Sequence, residues 1–331
     1  MRFAETTAEE LGRALAALRL KGMKRLLLDL RDNGGGLLQQ AVEVADYFVD
    51  SGSLIVYTEE RGFDPRHEYR ARRPFWGEGE PLPLVVLIDH GSASASEIVA
   101  GTVQDLDQGL VAGQTSFGKG LVQGQFPLRS NGGLLLLTVA RYYTPLGRLI
   151  QRPYTDDTQA YIQAGVDDVD PNSIDILRAG KEIFYTAFSR AVYGGGWITP
   201  DVLLRVEEYS DFAIDLFSSG AIADFSGVWV GGRGDWPHDF ADYLMGYEVP
   251  EEGVAAFAAF LLDEGWEVSA EDFAAHQDFL YRELKAGFAR VLWGDEQYYR
   301  VRLDEDGEVE QSLWLFGEAS ALFARRTGSG Y

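Results

Sequence analysis

With 331 residues, a formal net charge of -23 and no cysteine, the chain has no disulfide, no thiolate metal site and no cysteine nucleophile. An acidic surface of this size repels phosphate backbones, which sets nucleic acid aside as a partner. At 46% hydrophobic and 13% aromatic residues, the apolar content suffices for the core of one large domain or two ordinary ones.

Only five of the 29 basic residues are lysine: Lys21, Lys24, Lys119, Lys181 and Lys285. A lysine-poor acidic surface fits a high-salt habitat, and genomic base composition produces the same bias. No apolar run approaches the roughly 20 residues of a membrane span. Met1–Glu5 carries no apolar signal region.

Residues 8–20 set Leu11, Leu15 and Leu18 on one helical face, with Thr7 as the expected N-cap. Arg25–Leu30 reads as a buried strand ending in a turn at Arg31-Asp32-Asn33-Gly34-Gly35-Gly36. Helical spacing returns over 37–49. Leu84–Ile88 is a second apolar strand, followed by small residues and a helix over Glu97–Leu106. Leu110–Ala112 is a third strand before a glycine loop, and Leu121–Phe126 reads as a strand after it. Gly133–Arg141 and Arg148–Gln151 are further expected strands. Strands alternating with helices predict a parallel α/β sheet. Pro153–Asp170 is polar and acidic and reads as an insertion or linker. Tyr193–Trp197 is a turn leading into Ile198–Val202, and from about 207 the pattern is mostly helical and acidic with aromatic anchors.

Three segments could carry chemistry. Gly91-Ser92-Ala93-Ser94-Ala95-Ser96-Glu97 follows a strand and opens a helix, where free amides can hold a developing oxyanion. The same letters, Ser94-x-x-Glu97, spell a capping box, and caps are the commoner use of such a pattern. Gly113–Gly120 resembles a phosphate-binding loop, yet position 120 is Gly where a magnesium-holding hydroxyl belongs, and a strand follows where a helix is required. Gly34–Gly36 is either a simple turn or a place where backbone N–H groups face a ligand unobstructed. Of the four histidines, His67, His90, His238 and His276, none has metal-type spacing. His90, four residues before Ser94, is expected to be structural, since triad partners come from separate segments.

Taken together, Leu28–Gly36, Ser92–Ile98, Thr115–Gln123, Tyr143–Arg148 and Gly196–Asp201 resemble the carboxyl-terminal processing peptidases, or tail-specific proteases, in order and in spacing. The likeness covers residues 1–152 and 184–202. It implies a crotonase-like α/β peptidase core; the mostly helical C-terminal extension is read from the pattern after 207 and is a departure whose role the likeness does not supply. It implies Ser94 as nucleophile, Lys119 as its base and Gln123 as support for the lysine, with the Gly36 and Ala95 amides as oxyanion donors. No metal or cofactor is implied. The expected domains are a peptidase core at 1–152, an insertion or linker at 153–183, a returning core segment at 184–206 and a helical region at 207–331.

Family members carry a PDZ domain and an export signal upstream of this core, so the expectation is a truncated chain, with a natural variant without the PDZ domain as the alternative, whose parent protein acts extracytoplasmically, in the periplasm, on polypeptide substrates. A lysine starts near pKa 10.4, so Lys119 needs desolvation by apolar neighbours such as Phe117 to act as a base near neutral pH. The rival readings are a catalytically inactive peptide-binding scaffold of the same fold and a nucleotide-dependent protein using Gly113–Gly120.

Overall fold

The computed structural model describes residues 2–60, 66–72, 82–128, 132–153, 174–206 and 210–328. It divides into two compact units: Met1–Arg205 together with Gln311–Tyr331, and Val206–Glu310. The last stretch of chain thus folds with the first unit and not with the helical region that precedes it.

The first unit opens with α1 (Thr7–Leu20), β1 (Leu26–Asp29), α2 (Leu38–Ala45), β2 (Leu54–Glu60), β3 (His67–Arg70), β4 (Leu84–Ile88), α3 (Ala95–Asp105) and β5 (Leu110–Gly113). It continues with β6 (Leu121–Pro127), β7 (Leu134–Tyr143), α4 (Ile174–Arg178), β8 (Ile183–Tyr185), β9 (Ala191–Tyr193) and β10 (Val202–Leu203). Helix formation starts at Thr7 itself. Thr6 is the N-cap and makes no side-chain cap bond; its hydroxyl donates instead to Glu10 Oε1 (2.7 Å), and the Thr7 hydroxyl accepts from the Ala4 N–H (3.0 Å).

The expected parallel sheet has the order β1-β4-β5-β10, with every pairing parallel. Its centre, β4, is Leu-Val-Val-Leu-Ile, buried at every position, as an unbroken aliphatic run covered on both faces must be. α3 packs on this sheet and is buried along its whole length. Val202–Leu203, directly after the 198–201 segment, supplies the outer strand. Asp201 accepts from Val111 N (2.8 Å), Gln104 Nε2 (3.2 Å) and Arg190 Nη2 (2.9 Å), pinning β10 to β5 and to the end of α3. That explains an aspartate directly before a two-residue strand.

A second, antiparallel sheet of order β3-β2-β7-β6 includes two strands in a stretch, 50–83, where no element was expected. Arg148–Gln151 is not a strand. It contributes one bridge, Tyr143 with Leu149. Arg148 instead runs inward to Asp105, and Gln151 meets the Gly120 N–H with its side-chain oxygen (3.0 Å). Most of Pro153–Asp170 lies outside the described residues.

The second unit holds α5 (Asp211–Ser219), α6 (Ala221–Gly231), α7 (Phe240–Gly246), α8 (Glu251–Asp263), α9 (Ala270–Ala275), α10 (Gln277–Trp293) and α11 (Asp295–Asp304). Ser210, Asp239 and Ser269 cap three of these helices, each accepting from the amide three residues on. Phe225, Tyr243, Phe257 and Phe288 form its aromatic core. α12 (Gly307–Trp314) carries the boundary at residue 310, and α13 (Phe316–Thr327) packs near β4 of the first unit. There Arg25 sits over the Phe316 ring, 5.7 Å from its centroid.

Candidate active site

Three loops leave the C-terminal ends of the parallel strands β1, β4 and β5, the usual position for a site in an open α/β sheet. The loop after β1 contains Asn33 and the three glycines. Its Asn33 carbonyl accepts from Ala93 N (3.0 Å) and from Ser96 Oγ (2.8 Å), and its side-chain oxygen accepts from Gly35 N (3.1 Å). One asparagine therefore holds the glycine turn against the turn after β4. The approach is close. A Cβ on Gly35 would lie 2.5 Å from the Ala93 carbonyl oxygen and 2.8 Å from Ser94 Cβ, at a φ of +86°, so only glycine fits.

The three serines of the β4–α3 turn have different duties. Ser92 and Ser96 are fully buried and donate to the Leu30 and Asn33 carbonyls (2.8 Å each). Ser94 is half-buried, at φ 54°, ψ -106°. That is a costly conformation for a residue with a side chain, worth about 1–3 kcal/mol, of the kind concentrated at functional turns. Ala95, the first residue of α3, is 1% exposed, and Gly36 is exposed with φ +154°. Neither amide donates to another group among the described residues, so both are available to an incoming oxyanion.

Glu97 is the hub that sequence reasoning placed only as a capping-box partner. It is fully buried. Its Oε2 accepts from Ser94 N (2.7 Å) and from Lys119 N (2.8 Å). Its Oε1 accepts from Ser116 Oγ (2.5 Å) and Gly118 N (2.7 Å). Two loops 25 positions apart in sequence thus converge on one oxygen. Burial pushes the Glu97 carboxyl up to about 7, against the four donors, which favour the anion. The loop that resembles a phosphate cradle turns its amides to this internal carboxylate. Gly118 holds the tight bend at φ +85°, where a Cβ would strike the Gly196 carbonyl oxygen.

Lys119 is exposed, and no hydrogen bond joins its Nζ to Ser94 Oγ among the described residues. The expected desolvation of Lys119 is not seen in its exposure, and the Phe117 ring carries the Arg152 guanidinium 4.4 Å from its centroid. Gln123 is exposed on β6 and makes no described side-chain bond to Lys119. The structure thus brings together the backbones of Ser94 and Lys119 and sets the Gly35 turn beside them. Among the described residues the Lys119 and Gln123 side chains are exposed and not joined to each other or to Ser94. His90 Nδ1 lies 3.3 Å from Thr115 Oγ1. Among the described residues no group of three or more His, Asp or Glu is gathered as metal ligands would be.

The model of peptidase family S41 matches residues 1–160. The chain is similar to the chloroplastic C-terminal processing peptidase of Tetradesmus obliquus, 41% identical over 149 residues, 44% of this chain and 30% of that protein. It is similar also to the carboxy-terminal-processing protease of Bartonella bacilliformis, 42% identical over 155 residues, 46% of this chain and 35% of that protein. Among solved structures, the photosystem II D1 C-terminal processing protease is 39% identical, covering 45% of this chain and 38% of that one, with a TM-score of 0.41. The chain spans about a third of the length of these curated relatives. Residues 1–160 thus match peptidase family S41, and the curated proteins similar to them are carboxyl-terminal processing proteases.

Proposed function

We propose that this chain carries a serine endopeptidase of the carboxyl-terminal processing type, with a crotonase-like core, that works through a Ser94/Lys119 dyad. The carrying observation is the shared oxygen: Ser94 N and Lys119 N donate to the same Glu97 Oε2. This keeps the two backbones close enough for a lysine stem, by side-chain rotation, to bring Nζ to Ser94 Oγ.

In the working geometry the neutral Lys119 amine takes the Ser94 hydroxyl proton as Oγ attacks the peptide carbonyl carbon. The Gly36 and Ala95 amides receive the oxyanion, each such donor being worth about 3 kcal/mol. The C–N bond then breaks, the leaving amine collects the proton from Lys119, and water releases the acyl group from Ser94. Gln123, a neutral group, orients the lysine without raising its basicity as an acid would. By family likeness the substrates are polypeptides cut near their C-termini outside the cytoplasm, with a PDZ domain as the module that captures those termini.

Ser94→Ala and Lys119→Ala should each abolish cleavage of an unstructured polypeptide while leaving the circular dichroism spectrum unchanged. Because the pair acts as a unit, the double variant should be no worse than either single one. A fluorophosphonate should label the unsubstituted protein at Ser94. Retained activity in Ser94→Ala would sink the dyad, and retained activity in Lys119→Ala with loss in His90→Ala would replace it with a Ser/His mechanism.

A further inference from the structure

Four donors point at one buried carboxylate, and they come from two loops. Oε2 takes the amides of Ser94 and Lys119, and Oε1 takes the Ser116 hydroxyl and the Gly118 amide. Ser116 reaches further. Its Oγ accepts from Ile198 N (2.7 Å) and its N–H donates to the Ile198 carbonyl (3.1 Å). A continuous chain of hydrogen bonds therefore runs from the 196–201 segment through Ser116 to Glu97, and from Glu97 to both members of the dyad.

We propose that Glu97 is a positioning residue whose carboxylate holds the Lys119 loop in register with Ser94, braced from behind by Ser116 and the 196–201 segment. This deepens the dyad reading and rests on it. The chemistry of the side chain is what makes the role specific. Two oxygens that each accept two donors require a group that only accepts, which is an ionised carboxylate. Glutamine has one acceptor oxygen and would turn its NH₂ toward two donors. Alanine would leave four buried donors without an acceptor.

The groups facing Glu97 are Ser94 from the nucleophile turn and Ser116, Gly118 and Lys119 from the loop. All act through neutral hydroxyl or amide donors, and among the described residues the shift is set by burial and these donors. Protonation at about 7 would put an O–H where a donor already points, so acid should loosen the register before it unfolds the protein.

The test is the pH dependence of kcat/KM for the full chain and for Glu97→Gln. In the unsubstituted protein two groups, Glu97 and Lys119, must both lose protons, so the acid limb should fall with a slope of about two in logarithmic units. In Glu97→Gln the slope should be about one, with kcat reduced at least about 100-fold and KM little changed, as for a misplaced catalytic pair. A Glu97→Gln protein with unaltered kcat and an unaltered limb overturns the proposal. Should that variant fail to fold, Ser116→Ala decides. Removing one donor to the anion should move the limb to higher pH by about half a unit, and a limb that stays put overturns the proposal. Failure of the underlying dyad is separately visible, as full activity in Ser94→Ala or no Ser94 labelling in the unsubstituted protein.

Discussion

Ser92, Ser94 and Ser96 are the same residue at alternate positions, and only their surroundings distinguish them. The outer two are spent as buried donors to loop carbonyls, which leaves Ser94 as the hydroxyl on a strained, half-buried turn. That Ser94 lies between a strand and a helix, and Lys119 in a glycine loop before a strand, was legible from the sequence, because small residues punctuate both segments. The role of Glu97 was not. Its local contact spans three residues and looks like a cap, while its other contacts span 19 to 22 and leave no periodicity to read. Nor could the sequence reveal that Arg152, 35 positions after Phe117, stacks on that ring. The tightest residue-level constraint is Gly35. Gly35→Ala should cost about 1–3 kcal/mol from backbone strain alone, more from the backbone clash, and should displace Ser94 and slow its labelling. Gly34→Ala, where a Cβ meets nothing within 4 Å, should leave the melting temperature nearly unchanged. Equal melting temperatures for the two variants would contradict this reading of the turn.

At the scale of elements, the parallel sheet was legible because β4 is an unbroken aliphatic run and helices alternate with strands. The antiparallel sheet was half legible. β6 and β7 flank a glycine turn, but β2 pairs with β7 across some 80 residues, and such a partner is invisible to local pattern. Arg148–Gln151 failed as a strand because its arginine is an ion-pair residue and not a ladder residue. Arg148 and Asp105 are 2% and 0% exposed in their side chains, with N···O at 2.5 Å, and Asp105 also accepts from Leu146 N (2.9 Å). Breaking a buried pair from one side strands a charge. Arg148→Ala should therefore destabilise the first unit by about 3–5 kcal/mol, read as a fall of about 10 °C in its transition. Arg148→Met combined with Asp105→Leu should recover part of that loss. A double variant worse than the single one would mean the pair contributes more than its desolvation costs.

Over the whole molecule, the helical character of the region after 207 was legible, and its partition was not. Nothing in the composition distinguishes α13, with its paired arginines, from the helices before it, yet α13 belongs to the first unit. Each unit has its own core, so calorimetry should resolve two transitions. Phe225 is 3% exposed at the centre of the second core, and Phe225→Ala should remove about 3–5 kcal/mol from that unit. Only one transition should move. A single transition shifting as a whole would show that the units melt together.

The discontinuity of the first unit also has a consequence in time. Chain leaves the ribosome at about 5–20 residues per second, and domains tend to fold as units when they emerge. Residues 1–205 are synthesised first, but α13 follows only after the entire second unit has been made. The face near β4 where Phe316 and Arg25 meet thus stays uncovered for the synthesis of more than 100 residues, which takes seconds. The first unit is therefore completed last, although most of its sequence is translated before the second.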